Sequence, residues 1–405
     1  MKDNQYYDEM LNTYIPWGSS TCSKHASLTP EEPAVIVSGK GCRLKDANGK
    51  EYIDFRNSLG PISLGYSYEP VNEAIRKQLE KGIIFSYPCE LEAEVAKTVT
   101  EVIPCAEQAR FLKTGGEACA ACIKAARFIT GHDHIIQIGY NGWLNSLASN
   151  AMVLPGRKGT SSKTGIPAEI ASVYHATPWN NIEKLEELGK QYGDNLAAVI
   201  VAADYNTMDA GRTFYPYLRE FTNRYGAALI FDEIVTGFRI ALGGVQEHYG
   251  VTPDMSVFAK GIANGMPLSV YCGSAKWMKA FAPGGSTVSS TYGGEALSLA
   301  AAQKVIEIYR TEDVIGHLWR MGARMWGGLQ ALFEKYDSPV RMGCFDRPVG
   351  FYNTVNGQKD RRALMERAIY NSGVILYHGG YVNYSHQEAD IDEALERIEG
   401  AIKNI

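Results

Sequence analysis

The chain has 405 residues, of which 45% are hydrophobic and 21% charged, a composition typical of a globular protein with a large core. Its net charge of −5 provides no overall basic field for nucleic acid or a membrane surface. The first residues lack the apolar stretch of a secretion signal, and no apolar run reaches the roughly 18 residues of a membrane span. We therefore expect a cytoplasmic protein.

The N-terminal part of the chain is predicted to form a small β structure followed by a helix. Residues 34–55 contain two short runs around a tight turn at Asn48 and Gly49, a pattern typical of a β-hairpin. After a glycine-rich connector at 59–65, a helix is predicted from apolar residues at helical spacing, Val71, Ala74, Ile75 and Leu79.

From about residue 108, predicted strands and helices alternate. In chain order these are a strand at 109–112, a helix at 117–130, strands at 134–138 and 196–203, a helix at 215–225, and strands at 229–232 and 255–259. A loop rich in Gly, Lys and Ser spans 155–167 and is predicted either to close over a site or to be an ordinary surface loop. The alternation predicts an α/β fold with a doubly wound, mostly parallel sheet.

After about residue 300 the pattern changes to amphipathic helices and short strands. The last helix is predicted from one apolar stripe, formed by Ile391, Leu395, Ile398 and Ile402. These changes predict an N-terminal segment with the hairpin of a small lobe at 1–60, a large domain at 61–300, and a C-terminal small domain at 301–405.

Asp232 and Lys260 each follow an apolar run with the composition of a buried parallel strand. Ligands of open α/β sheets bind beyond the carboxyl ends of the strands, so the acid and the amine are expected to meet there. The pair suits pyridoxal phosphate, because a lysine can form a Schiff base with its aldehyde while an acid pairs with its pyridinium nitrogen. A desolvated lysine also has a lowered pKa and becomes a usable nucleophile.

Two further stretches follow predicted strands in this region. Thr114, Gly115 and Gly116 precede a helix, where glycines admit an anion to the unpaired N–H groups of the helix N-terminus. The stretch matches neither the dinucleotide nor the P-loop fingerprint, which argues against a nucleotide site. Tyr140 follows the next strand and is either a ring-stacking residue or an ordinary rim tyrosine.

The cysteines and histidines do not predict a metal site. Cys119 and Cys122 have the spacing of redox and zinc sites, but they lie among small residues and no second such pair exists. We predict that they are packing thiols on a helix. His132 and His134 flank a predicted turn and are expected to be exposed.

Six sequence blocks together resemble class III aminotransferases, in the branch of glutamate-1-semialdehyde 2,1-aminomutase. They occur in the expected order, and the similarity extends from about residue 30 to the C-terminus. The blocks are T-G-G-E-A (114–118), Y-N-G (140–142), D-E-I-V-T-G-F-R (232–239), G-V-T-P-D (250–254), A-K-G-I-A-N-G-M-P (259–267) and S-S-T-Y-G-G-E-A (289–296).

The resemblance implies a fold-type I, aspartate-aminotransferase-like architecture, with a large domain around the sheet and a smaller α+β domain. It also implies a homodimer with active sites at the subunit interface, which binds pyridoxal 5′-phosphate but neither nucleic acid nor a membrane. Lys260 would form the Schiff base and shuttle a proton, and Glu233 would lie behind the residues that contact the cofactor and take no part in catalysis. The other cofactor-binding residues implied are Thr114, Gly115, Gly116, Tyr140, Asn206, Asp232, Ile234 and, from the neighbouring subunit, Thr291.

Departures from the family pattern concern the substrate. Lys24 is closest to the position of an expected N-terminal Arg, and it lacks the planar fork that binds a carboxylate. Leu59 replaces an expected Trp, and Asn141 replaces a His between Tyr140 and a glycine. An expected Glu-Pro is replaced at 202–206, where Asn206 is predicted to contact the cofactor's 3-hydroxyl group.

These departures predict a conserved cofactor chemistry with an altered substrate wall. The favoured hypothesis is an aminotransferase that moves an amino group, from glutamate as donor, to the aldehyde or ketone of a polar intermediate such as a sugar or cyclitol. Glutamate-1-semialdehyde 2,1-aminomutase is the alternative. A decarboxylase or epimerase on the same scaffold, and a pseudoenzyme that binds the cofactor for structure, are lesser alternatives.

Overall fold

The computed structural model describes residues 2–24, 29–144, 166–355 and 357–405. The chain divides into two compact units. The first contains Met1–Glu69 and Gly316–Ile405, and the second, larger unit contains Pro70–Ile315. Most of the loop predicted at 155–167 lies outside the described residues, so its closing over a site stays a prediction.

The strands are numbered along the chain. They are β1 (Ile36–Lys40), β2 (Arg43–Asp46), β3 (Glu51–Asp54), β4 (Gln108–Leu112), β5 (His134–Ile138), β6 (Tyr174–Thr177), β7 (Leu196–Ala202), β8 (Ala228–Asp232), β9 (Met255–Phe258), β10 (Ser269–Gly273), β11 (Val340–Met342), β12 (Val349–Thr354), β13 (Val374–Ile375) and β14 (Gly379–Tyr381).

The α-helices are numbered in the same way. They are α1 (Asn4–Tyr14), α2 (Glu69–Lys81), α3 (Glu90–Val102), α4 (Gly115–Thr130), α5 (Ala168–Ser172), α6 (Ile182–Tyr192), α7 (Gly211–Tyr225), α8 (Val245–Tyr249), α9 (Ala275–Met278), α10 (Ala296–Thr311), α11 (Val314–Lys335), α12 (Lys359–Asn371) and α13 (Glu388–Ile402).

The larger unit is built on a seven-stranded sheet with strand order β4-β10-β9-β8-β7-β5-β6. Strands β5 to β9 pair in parallel, while β10 runs antiparallel to both β4 and β9. The strands are apolar almost throughout, and all five residues of β8 are buried, as expected where helices cover both faces of a parallel sheet. The prediction of an α/β fold with a mostly parallel doubly wound sheet is confirmed.

Two apolar clusters cover the faces of this sheet. On one face, small residues of α4 let the helix approach Ile200, Ile230 and Val257 closely, and Cys119 and Cys122 are buried among them. On the other face, aromatic residues of α7 pack against Leu229 and Phe231. Cys119 and Cys122 therefore pack as predicted.

The first unit contains two smaller sheets, of order β1-β2-β3-β13 and β11-β12-β14. The hairpin predicted at 34–55 is a three-stranded antiparallel meander, and β13 from the C-terminal part adds to it in parallel. Ile391, Ile398 and Ile402 are buried on one side of α13, so the predicted stripe is confirmed.

The unit boundaries fall after those predicted at 60 and 300. Residues 61–69 belong to the first unit, where Tyr66 pairs with Gly41 and Ser385 donates a hydrogen bond to the Leu64 carbonyl. Helix α10 crosses the predicted boundary at 300 because it packs against α3 inside the larger unit.

The two histidines near β5 are half-buried rather than exposed. His134 Nδ1 lies 2.8 Å from His175 Nε2, and both rings stack on Tyr192. His132 contacts the Leu196 carbonyl. Within the described ranges, no group of three or more His, Cys, Asp or Glu side chains could hold a metal ion, and no helix is long and apolar enough to cross a membrane.

Candidate active site

The carboxyl edge of the sheet brings Asp232 and Lys260 into one region. Asp232 ends β8 and is in register with Val257 of β9, and Lys260 lies two residues after the end of β9. The backbone N–H of Glu233 donates to the Val257 carbonyl at 2.9 Å, which joins the ends of the two strands. The chain thus places the acid and the amine at the edge where open α/β sheets bind ligands.

The Asp232 carboxylate is buried and held by three donors. Oδ1 accepts from the Ile234 N–H at 3.1 Å, and Oδ2 accepts from Asn141 Nδ2 at 3.0 Å. The Cys119 thiol lies 3.7 Å from Oδ2. Burial raises the pKa of Asp232, and these donors together with the nearby Lys260 oppose that shift. The carboxylate is therefore fixed in place, and a positive charge nearby would stabilise its ionised form.

Lys260 is a half-buried amine with a left-handed backbone conformation, φ 50°. Burial and, to a smaller extent, the positive charge of Arg239 lower the pKa of Lys260, Asp232 raises it, and the net pKa is about 8. A lysine in this state is partly neutral near neutral pH, so it can act as a nucleophile and as a proton carrier.

The glycine turn before α4 contains a capped helix N-terminus, and its predicted contact with a phosphate stays a prediction. The Thr114 side chain accepts from the Glu117 N–H and Glu117 accepts from the Thr114 N–H, which forms a capping box. A Cβ atom on Gly115 would lie 2.3 Å from Ile234 Cδ1, whereas one on Gly116 would meet Leu144 Cγ at 3.6 Å. Gly115 is therefore needed for Ile234 to approach the start of α4.

The other predicted cofactor residues lie in loops of the same unit. Tyr140 and Thr291 are exposed. Asn206 donates its backbone N–H to Asp204, and its side-chain Oδ1 is buried with no hydrogen-bond partner within the described part of the chain. A buried oxygen of this kind is available to a bound molecule.

The structure places Asn141 beside Asp232, and its predicted contact with substrate stays a prediction. It was assigned to the substrate wall, but its side chain is fully buried and its amide donates to Asp232. An amide side chain has N–H groups that can donate directly to the carboxylate.

A sequence profile described as aminotransferase class-III matches residues 26–402. The chain belongs to the class III aminotransferases. Two enzymes named glutamate-1-semialdehyde 2,1-aminomutase are similar to it over nearly their whole length. That of Persephonella marina is 34% identical and covers 98% of this chain and 97% of its own, and that of Aquifex aeolicus is 32% identical and covers 100% of both.

A solved structure shows the same fold. The FumI protein of Sphingopyxis sp. MTA144, solved as the internal aldimine form with pyridoxal phosphate, superposes with a TM-score of 0.88 at 23% identity. The alignment covers 100% of this chain and 96% of the other. The predicted fold-type I architecture is confirmed, and the class III chain is a pyridoxal-phosphate-dependent aminotransferase or aminomutase.

Lys24 and Leu59, the other predicted substrate residues, belong to the first unit. Both line a cavity of about 380 Å³, together with Arg56, Asp54 and Tyr66. Arg56 is not free in this cavity, because its guanidinium pairs with Glu32 at 3.1 Å and lies over the Tyr377 ring. Their contact with substrate stays a prediction.

Sequence reasoning missed the partners of the two central residues. Cys119 was identified only as a packing thiol, and Arg239 only as part of a motif, although it affects the pKa of Lys260. Glu233 is predicted only to lie behind the residues that contact the cofactor, and its hydrogen-bond partners could not be predicted. The helical spacing of α4 places Cys119 on the face toward the sheet, and it was the one sequence feature that could have indicated this contact.

Gly115→Ala is expected to weaken cofactor binding at least about tenfold, because the new methyl group displaces Ile234 or the start of α4 from a tightly packed position. Gly116→Ala is the matched control, since its Cβ meets only ordinary contacts. Fluorescence titration with pyridoxal phosphate measures both affinities. Equal affinities for the two variants would contradict this account of the glycine turn.

Proposed function

We propose that Lys260 and Asp232 form the catalytic centre at which this class III enzyme moves an amino group. The observation that carries the proposal is their common position at the carboxyl edge of the sheet, with Lys260 holding a lowered pKa. The cofactor supplies, when bound, an aldehyde and an electron-withdrawing ring. Lys260 moves a proton to and from the substrate carbon that carries nitrogen, and Asp232 holds a proton on the ring nitrogen.

The remaining predicted residues fit this cofactor. The N-terminus of the 16-residue helix α4 offers N–H groups to a phosphate, and Gly116 keeps a side chain away from them. Asn206 Oδ1 offers a buried acceptor to the phenolic hydroxyl. We propose that Tyr140 and Ile234 take the two ring faces and that Thr114 and the neighbouring subunit's Thr291 join the phosphate site.

We propose glutamate 1-semialdehyde as the first substrate to test. The two relatives that cover almost the whole chain are named as its 2,1-aminomutases, whereas no comparison supports the sugar or cyclitol acceptor predicted from the sequence. Transfer to a separate carbonyl acceptor is the second candidate, and it is favoured by Lys24 and Leu59, which depart from the family pattern.

Incubation of the purified enzyme with glutamate 1-semialdehyde and no amino donor separates these candidates. The mutase proposal expects the isomer with its amino group on carbon 1, detected by mass spectrometry and NMR. The second candidate expects no isomer but release of 2-oxoglutarate when glutamate and a carbonyl acceptor are supplied. Lys260→Ala is the blank in both arms. If neither the isomer nor 2-oxoglutarate forms with any acceptor of a panel, both candidates are contradicted.

We propose a homodimer. The connector between α2 and α3 and a neighbouring loop expose large apolar side chains, a typical feature of interfaces: Ile83, Ile84, Phe85, Tyr87 and Tyr292. The Ala296 N–H donates to the Ile83 carbonyl at 2.8 Å, which ties this surface to the segment that contains Thr291. Analytical ultracentrifugation should give twice the chain mass of 44.5 kDa, and a monomer at micromolar concentration would contradict the proposal.

A further inference from the structure

Glu233 follows Asp232 directly and is completely buried, yet no role in the reaction is assigned to it. Its carboxylate accepts four hydrogen bonds. The donors are the Val245 N–H at 2.8 Å, the Gln246 N–H at 3.1 Å, the Gln246 side-chain amide at 3.4 Å, and the Thr236 hydroxyl. All four donors are neutral, so the negative charge of the carboxylate has no counter-charge among them.

These bonds connect the turn after β8 to the first turn of α8. A Cβ atom on Gly244 would lie 2.0 Å from Glu233 Oε2, so the backbone approaches the carboxylate as closely as a glycine allows. Gln246 extends the network, because its Oε1 accepts from the Cys105 N–H at 2.9 Å. The residue after Asp232 is thereby anchored to two other segments of the larger unit.

The two neighbouring acids are held from different sides of the sheet. Asp232 contacts Cys119 on α4, which packs on one face, whereas Glu233 contacts Val245, which belongs to the apolar cluster on the other face. Anchoring Glu233 therefore fixes the backbone of Asp232 from behind while leaving its carboxylate directed to the α4 side.

Capping alone does not require a buried acid. Ser, Thr or Asn cap helix N-termini as well as an acid does, without the cost of burying a charge. Burial raises the pKa of Glu233 to about 7, which shows that this cost is substantial. A buried negative charge acts over several ångströms in a medium of low dielectric constant, and it favours a positive charge nearby.

We propose that Glu233 is a positioning residue of the cofactor site, whose side chain fixes the turn that presents Asp232 and, in its ionised form, adds a second negative charge that favours a proton on the cofactor's ring nitrogen. The inference rests on the proposed role of Asp232. It assigns Glu233 an effect on the cofactor without contact with it.

Glu233→Gln tests this inference, because the amide keeps the size of the side chain and removes its charge. Glu247→Gln is the matched control, since Glu247 accepts the Gly243 N–H at 2.6 Å in the same turn but is not adjacent to Asp232. The readouts are the ¹⁵N NMR shift of bound pyridoxal phosphate labelled at its ring nitrogen, the affinity for that cofactor, and kcat separately from KM.

In Glu233→Gln the nitrogen signal should move toward the unprotonated position and kcat should fall about tenfold, as expected for a change of about one pKa unit at the ring nitrogen. Glu247→Gln should match the wild type in the nitrogen signal, in cofactor affinity and in kcat, although either variant can lower the melting temperature. Thr236→Val, which keeps the carboxylate and removes one of its donors, should shift the signal in the same direction by less, and it keeps the test decisive if Glu233→Gln does not fold.

An unchanged nitrogen signal in both Glu233→Gln and Thr236→Val would overturn the inference. Asp232→Asn serves as the reference for a full loss of the ion pair. If Asp232→Asn also leaves the nitrogen signal unchanged, the proposed role of Asp232 fails. If Asp232→Asn shifts the signal and neither Glu233→Gln nor Thr236→Val does, only the inference about Glu233 fails.

Discussion

Replacing Lys260 with alanine is expected to lower turnover by at least about 10³-fold, within the range lost when a positioned acid–base group is removed. The amine is half-buried and its pKa lies at about 8, so no solvent base of comparable placement can take over its proton transfers. The assay is amino-group transfer under saturating cofactor, with the absorbance of the bound cofactor as a second readout.

Lys260→Arg is the control for charge. Arginine keeps a positive charge next to Asp232 but remains protonated and cannot attack an aldehyde, so it should be as inactive as alanine. Partial recovery of the Lys260→Ala variant by a small primary amine in solution would show that the missing function is the amine itself. Full turnover by Lys260→Ala would remove the residue from the mechanism.

The second large effect is expected at Asp232. Asp232→Asn should lower kcat by about 10²–10³-fold, a typical loss for one preorganised electrostatic contact. The neutral amide cannot hold a proton on the ring nitrogen. If it occupied the position of the carboxylate, its NH₂ group would face one of the two donors, either Asn141 Nδ2 or the Ile234 N–H. Steady-state kinetics measures the loss.

Asp254→Asn is the matched control for this variant. Asp254 precedes β9 and holds the Leu229 N–H and the Trp277 side chain at 2.8 Å each, at the opposite end of the strands from Asp232. Its replacement should lower the melting temperature and leave kcat within about threefold of the wild type, as for a structural hydrogen bond. Equal losses of kcat at both positions would indicate that the effect of Asp232→Asn is one of folding.

The sequence allowed the sheet and the two central residues to be located because parallel strands buried on both faces appear as continuous apolar runs. The run that ends at Asp232 and the run before Lys260 are of this kind. The fold class therefore predicted that the two residues lie near each other at the carboxyl edge of the sheet. The glycine turn before α4 could also be predicted, because it is defined by the strand and the helix that directly flank it in the chain.

Contacts between distant segments could not be predicted. Asn141 and Asp232 are 91 residues apart, and only the folded chain shows that the amide supports the acid. The contacts of Glu233 depend on a close approach by Gly244, which no spacing rule reveals. The continuation of α10 past residue 300 could not be predicted either, because it packs against a helix that lies far earlier in the chain.

Reduction of the cofactor-loaded enzyme with borohydride, followed by peptide mass spectrometry, shows whether Lys260 is the residue that binds the cofactor covalently. The reduction converts the Schiff base between a lysine and the cofactor into a stable bond. The mass of the labelled peptide then identifies that lysine. We expect a pyridoxyl group on the peptide that contains Lys260 in the wild type, and no such group in Lys260→Ala. A label on another lysine, or none in the wild type, would contradict this expectation.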